Sequence, residues 1–307
     1  LVGLVGSEMC IRDSSNNNIL TLDESIQARY AATRYTRYDG NYNTSEGRTP
    51  STSNPDVIKK ARTALQLAIR APSGFNVQPY KMVMIHTPSS KLKLSKYCIG
   101  RNIDRVLDSD CTIIFLADRQ VMRSWNQYKT MIEKQEEESS ASKSTTSTST
   151  TKKKKTKWKY LKLRILIGLF SSGYPYLPKL ISGPISWCIR VGMRIVSWCT
   201  RSWLVVPTLS SSECWSQKNT ALVAMSYMLG CTSRSLVTTP MEGYLSWGIR
   251  QSFNISRRYT IPLIISTGIP YTASPTENEN DDTGISHGNT KETSTPRFEY
   301  DSIVEEK

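Results

Sequence analysis

Two histidines in 307 residues leave little room for imidazole chemistry. His86 falls in a strand-like run and His287 in a Ser/Asn/Gly-rich stretch, which argues against a Ser-His-Asp triad and against a multi-histidine metal site. Seven cysteines are scattered with no C-x-x-C pair, so neither a disulfide framework nor a zinc site is expected, and no metal ligands are assigned. Such a set suits reduced thiols in a reducing compartment. A cytoplasmic protein is expected, with an organelle or a membrane surface as the alternatives. Long apolar runs are missing too: a bilayer span needs about 20 residues, and the apolar stretch from Leu161 to Phe170 is only half that. Residues 1–20 show no period, no basic n-region and no long apolar run, and read as a disordered or non-native lead rather than a signal peptide. Acids are absent from one segment: between Ser139 and Ser212, thirteen Lys and Arg stand without an Asp or Glu. The net charge of +14 therefore belongs almost wholly to that segment, and no nucleic-acid partner is expected.

What is present reads as a globular chain diluted by polar tracts, with 38% apolar residues and a mean hydropathy of −0.39. Its length sets a prior of about two domains of roughly 150 residues. Asp23 to Tyr38 is expected to be helical, ending near Asp39-Gly40. Asn54-Pro55-Asp56 opens a helix in which Val57, Ile58, Ala61, Ala64, Leu65, Ala68 and Ile69 recur at three- and four-residue steps, and Pro72 stops it. Lys81 to His86 and Cys111 to Ala117 read as strands, with a short helix from Ser89 to Tyr97 between them. Trp215 to Leu229 and Tyr244 to Phe253 read as helices. Tyr259 to Gly268 reads as a strand in which Pro262 marks an edge or an early position. Phe298 to Val304 is the last strand candidate. Helices and strands alternate, which predicts a mixed α and β domain with a large interruption.

Two polar tracts hold the candidate site residues. In Ala71-Pro-Ser-Gly-Phe-Asn-Val-Gln-Pro-Tyr80, Pro72, Ser73 and Gly74 form a tight turn bearing a hydroxyl, and Asn76 and Gln78 add amides that both donate and accept. Taken alone this is a turn ending a helix. Pro240, Met241, Glu242 and Gly243 read alone as a loop with a glycine at positive φ.

Together with a third tract these resemble the FMN-dependent nitroreductase family. Residues 71–83 are similar to the family's P-S-x-x-N-x-Q-P-W and the strand after it. Arg101 to Phe115 resembles its polar turn, helix and strand. The tract from Trp215 through Pro240-Met-Glu-Gly-Tyr244 to Gly268 resembles its long central helix, its P-x-E-G-F loop and its last core strand. The resemblance implies an α+β fold, a mostly antiparallel central sheet flanked by helices, in an intertwined homodimer with two flavins at the interface. It implies FMN as cofactor and NAD(P)H as co-substrate, with ping-pong reduction of an electron-poor small molecule such as a nitroaromatic or a quinone. Glu242 and Gly243 take the place of the loop whose backbone N–H meets the flavin N5. Pro72, Ser73, Gly74, Asn76, Gln78, Asn102, Arg105, Pro240 and Met241 match further flavin-contacting positions. At the phosphate end the family carries an R-x-S/T stretch and a C-terminal K-x-R. Arg34, Thr36 and Arg37 are the candidates for the first, in either of two registers, and Arg297 for the second. The same fold supports reductive dehalogenation and flavin-modifying chemistry, and a non-catalytic flavin or membrane binder is the reading from another class.

On this reading residues 21–135 and 213–271 are the two parts of the nitroreductase domain, 272–296 is disordered, and 297–307 is a C-terminal strand or tail. Between the two parts lie a low-complexity basic linker, 136–157, and an insert, 158–212, where the family carries a variable pair of helices over its active site. The insert reads as lid helices packed on the core or as interfacial helices in peripheral contact with an anionic membrane.

Overall fold

A computed structural model describes residues 19–40, 49–141, 158–168, 179–200, 210–271 and 303. Helix α1 spans Leu22–Ala28 and α2 spans Pro55–Ala68. The Asn54 side chain caps α2 by accepting from the Asp56 N–H, and Pro55 starts it where no amide hydrogen is needed. Its buried Val57, Ile58, Ala61, Ala64 and Ala68 form one stripe, facing helix α8 at Ser212–Thr232. The two approach closely: a Cβ on Gly230 would lie 3.3 Å from the Ala64 Cβ.

These helices cover one face of a five-stranded antiparallel sheet. Its strands are β1 (Tyr35–Thr36), β2 (Tyr80–Ile85), β3 (Cys111–Asp118), β4 (Val237–Met241) and β5 (Tyr259–Pro270). In space β2 lies beside β3 and β3 beside β5; the far side of β5 pairs with both β4 and β1. Strand β3 is buried throughout and alternates its partners. Cys111, Ile113 and Phe115 face α2 and α8. Ile114 and Leu116 face the second helical layer, made of α3 (Pro88–Ser95), α4 (Asn102–Asp108) and α9 (Ser246–Ser252).

Helix α5 (Trp125–Ala141) precedes the insert, which contributes α6 (residues 158–168) and α7 (Lys179–Thr200). Helix α6 docks: Tyr160 and Ile167 are buried, and Ile167 packs with Val121, Met122, Tyr128 and Trp215. Among the described residues no helix is long and apolar enough to cross a membrane.

Four expectations change. The helix expected from Asp23 to Tyr38 stops at Ala28, because the backbone beyond it is used by the sheet: the Ala32 N–H donates to the Thr238 carbonyl, and Tyr35-Thr36 pairs with Ile269-Pro270. Helix α5 runs on through residues 136–141, past the boundary set for the linker, whose remainder, 142–157, lies outside the described residues. Residues 185–206, apolar in sequence but broken by Arg190, Arg194 and Arg201, lie up to Thr200 in the continuous helix α7, and the rest falls outside the described residues. Strand β4 goes unread in the sequence, short and interrupted by Pro240. Pro262 occupies an early position of an interior strand. It lies beyond the end of β4 and at the β3 register shift, where its missing N–H costs no ladder bond. The Phe298–Val304 strand candidate lies outside the described residues except for Ile303.

Candidate functional site

The Gly243 carbonyl is held from two sides. It accepts from the Ile99 N–H at 3.0 Å and from the Asn102 Nδ2 at 3.2 Å. Asn102 is oriented in turn by Arg105, whose guanidinium donates to its Oδ1 at 2.9 Å. The second and third sequence blocks, 141 residues apart, therefore meet in one constellation. Gly243 is not at positive φ, contrary to expectation. Glycine is favoured there by contact with the clamp, since a Cβ would lie 2.8 Å from the Asn102 Nδ2 and displace it. Clamping the carbonyl fixes the peptide, while the Glu242 and Gly243 N–H groups have no partner among the described residues. The buried Nε of Arg105 has none either. Glu242 is exposed. Tyr244 anchors the loop's far side by donating to the Ile261 carbonyl at 2.8 Å, and its burial pushes its phenol pKa up.

The first block is built differently. Gly74 also has no positive φ; its Cβ would meet the Trp215 ring at 2.9 Å. The turn is made by Phe75, Asn76 and Gln78, at φ of 58°, 54° and 50°, a region that costs a non-glycine residue about 1–2 kcal/mol. Surrounding contacts hold it in place: Gly74 N–H donates to Asn219 Oδ1 at 2.7 Å, Gln78 N–H to Ser73 Oγ at 3.1 Å, and Tyr128 OH to the Phe75 carbonyl at 2.6 Å. Pro72, Asn76 and Gln78 stand exposed.

Both loops lie at the same end of the sheet, because β4 leaves its last pairing, Met241 with Ile264, in the direction from which β2 enters at Tyr80, opposite Ala117. Three strand spacings separate them, about 14 Å at 4.8 Å each. The first contacts the α8 face and the second the α3–α4 face. One chain thus joins Asn102 and Arg105 to Pro240–Gly243 but does not bring Ser73, Asn76 and Gln78 to them.

The segment 34–37 is at the opposite end: Tyr35 pairs with Pro270, six residues along β5 from Ile264, or about 20 Å. Arg37 is buried and occupied with Asp39 at 3.2 Å, Asp108 at 3.3 Å and the Thr49 carbonyl at 2.9 Å, so it is a structural cation rather than an open anion ligand. Thr36 donates to the Pro270 carbonyl, and Arg34 lies exposed over the Tyr271 ring. Arg297 is outside the described residues.

Sequence reasoning also missed residues. Trp215 and Asn219, one turn apart on the buried side of α8, shape the first loop. Their signal was an Asn and a Trp in a helix of Ala, Met and Leu. Beyond the Gly243 loop a cleft of about 490 Å³ opens among Arg119, Trp247, Arg250, Gln251 and Arg257. The buried Arg250 Nε has no partner. No group of three His, Cys, Asp or Glu able to hold a metal occurs among the described residues.

No protein-family model matches the sequence, and no curated protein matches it. The likeness is structural. The nitroreductase family protein from Streptococcus pneumoniae TIGR4 superposes with a TM-score of 0.51 at 16% identity, over 94% of this chain and 100% of its own. A protein assigned as a nitroreductase from Exiguobacterium sibiricum 255-15, solved in complex with FMN, gives 0.53 at 16%, over 94% and 98%. One assigned as an NAD(P)H:FMN oxidoreductase from Staphylococcus epidermidis ATCC 12228 gives 0.54 at 15%, over 94% and 96%. The chain has the α+β fold of the nitroreductases, as the three blocks implied.

Proposed function

We propose that the chain is an FMN-dependent oxidoreductase that draws on NAD(P)H to reduce an electron-poor small molecule. The observation that carries this is the Gly243 peptide, clamped at its carbonyl by Asn102 and Ile99 while the neighbouring N–H groups and the Arg105 Nε are left unpaired. Pre-aimed donors with no protein acceptor suit the electronegative edge of a flavin ring. When bound, FMN would supply the redox chemistry, taking a hydride from NAD(P)H and passing electrons to a nitroaromatic or quinone. The protein's part is to bind and orient. Glu242 and Gly243 would donate backbone N–H groups, Asn102 and Arg105 would fix the ring edge, and the arginine-lined cleft beside α9 offers cations to the phosphates of the dinucleotide. Because Ser73, Asn76 and Gln78 lie about 14 Å away across the sheet, we assign them to a flavin bound mainly by a second copy, in a homodimer. Arg297 is our candidate for the FMN phosphate. Unpaired cysteines among the described residues suit a reducing compartment, here taken as the cytoplasm.

The test is purification with FMN. One yellow FMN per chain, bleached anaerobically by NAD(P)H and recoloured by a quinone, a nitroaromatic or a halogenated aromatic, supports the reading and sorts the acceptor class. A protein that takes up only FAD, or no flavin, sinks it. The occupation of Arg37 inside the fold favours a second reading, a flavin binder without turnover; a yellow protein that NAD(P)H cannot bleach would be its signature. Arg297→Ala should weaken FMN ten- to hundredfold and spare riboflavin.

A further inference from the structure

Helix α7 differs from every other long helix described. Trp187 is 60% exposed and Trp198 78%, with Ile195 and Val196 exposed beside them. At 3.6 residues per turn, Trp187, Val191, Ile195 and Trp198 form one apolar stripe along Lys179–Thr200, continued by Cys188 and Cys199. A polar arc adjoins the stripe, with Arg194 bordering the tryptophans and Ser197 beyond it. The helix is about 33 Å long at 1.5 Å per residue, but two arginines in its length keep it from the class that crosses a bilayer. Its neighbour α6 buries Tyr160 and Ile167 against the core, whereas Trp187, Ile195 and Trp198 of α7 stay exposed.

We propose that α7 is a membrane-surface helix that lies on anionic phospholipid, tryptophans in the interface and arginines at the headgroups. Charge decides the occupant. The segment from Ser139 to Ser212 holds thirteen cations and no acid. A second copy packed on this face would bring two such segments together with no acids of their own to offset them. An anionic bilayer offers both the apolar layer and the countercharge. A short basic helix with interfacial tryptophans is the form that this combination takes when it lies on a membrane without entering it.

Sedimentation of the full chain with vesicles tests this without reference to flavin, so its outcome is separate from that of the enzymatic reading. The probes are phosphatidylcholine alone and phosphatidylcholine with about a third phosphatidylserine. Binding should be at least tenfold tighter to the anionic vesicles in low salt, and should fall in part at 0.5 M NaCl, where the Debye length drops to about 4 Å. Trp187→Ser with Trp198→Ser should cost tenfold or more in vesicle binding while leaving the thermal midpoint nearly unchanged, since both rings are mostly exposed. Arg190→Ser with Arg194→Ser should narrow the preference for anionic lipid. Brominated lipid should quench wild-type fluorescence more than that of the double tryptophan variant. No binding to either vesicle at low salt overturns the proposal. So does a double tryptophan variant that binds like the wild type, since the lysine-rich remainder would then be the binder. A dimer that the same two substitutions dissociate, in a protein that ignores vesicles, assigns the face to a second copy and overturns it as well.

Discussion

The two ends of the central sheet handle polar groups in opposite ways. Where β3 begins, polar side chains are buried and nearly all spent: Arg37 on Asp108 and Asp39, Lys91 on the Ser51 carbonyl and hydroxyl at 2.9 and 3.2 Å, Asn54 N–H on Asp110 at 2.7 Å. Asp110 Oδ2 and Thr238 Oγ1 are left over. Around Gly243 the carbonyl is clamped, while the exposed Glu242 N–H, the half-buried Gly243 N–H and the buried Arg105 Nε have no partner among the described residues. A buried polar group without a partner costs about 1–3 kcal/mol. Of the unpaired donors around Gly243 only the Arg105 Nε is buried, so this end differs less in unsatisfied burial than in leaving backbone donors open toward solvent. The first end holds the chain together.

Breaking the first end should have the largest effect. Asp108→Ala removes one of the two acids that hold the buried Arg37 and should cost about 3–5 kcal/mol, read by urea unfolding. The surviving folded protein should still bind FMN normally. A loss below 1 kcal/mol would make the pair idle.

Lys91 at the same end predicts a pH dependence. Burial, opposed by Asp110, lowers its pKa from 10.5 to about 8. The unfolded chain keeps that proton up to pH about 10.5, so between pH 8 and 10.5 it binds more protons than the folded one. Stability should therefore rise with pH across that window, by up to about 1.4 kcal/mol per unit. Lys91→Met should flatten the rise; a wild type and a variant of equal slope would show that Lys91 titrates normally. No group at the Gly243 end enters this prediction.

The two glycines sharpen the comparison. Gly74→Ala drives a Cβ against the rigid Trp215 ring and should cost about 1–3 kcal/mol. Gly243→Ala meets the end of the Asn102 amide, which can swing away, so stability should fall by less than 1 kcal/mol while FMN affinity drops about tenfold with the clamp. Equal stability losses would mean that the Gly243 loop is packed as rigidly as the turn.

Much of this was legible in the sequence and some could not be. The stripe of α2, the run of β3 and the length of α8 follow from three- and four-residue periodicity or continuous burial, which are local. Roles assigned by motif were legible as residue types only. Arg34 and Arg37 look alike in sequence; only contact with Asp108, 71 residues on, makes Arg37 structural. The need for Gly243 looked like a backbone angle and is a contact with Asn102, 141 residues away. Strand β4 exists because β5 offers it an edge, and nothing within Val237–Met241 announces it.

The smallest effect separates stability from function at a single residue. Gln78 is exposed with φ 50°, and its side chain makes two long contacts, 3.5 Å to the Asn76 Oδ1 and 4.0 Å to the Met131 sulfur. Glycine would remove a left-handed penalty of about 1–2 kcal/mol, offset by about 0.5–1 kcal/mol of extra freedom in the unfolded chain. Gln78→Gly should therefore stabilise the fold by about 0.5 kcal/mol, a rise of about 1–2 °C in Tm for a chain of this size. If the amide serves the flavin, the same variant should bind FMN less tightly, by about 0.5–1.5 kcal/mol for one neutral hydrogen bond. Higher Tm with weaker FMN is the expected pair of results. Higher Tm with unchanged FMN would remove Gln78 from the site and leave the strained turn as a positioning device for Ser73 and Asn76. Lower Tm would mean that the Gln78 side chain carries a contact whose loss outweighs the strain, and the first loop would then belong with the stability-bearing end of the sheet.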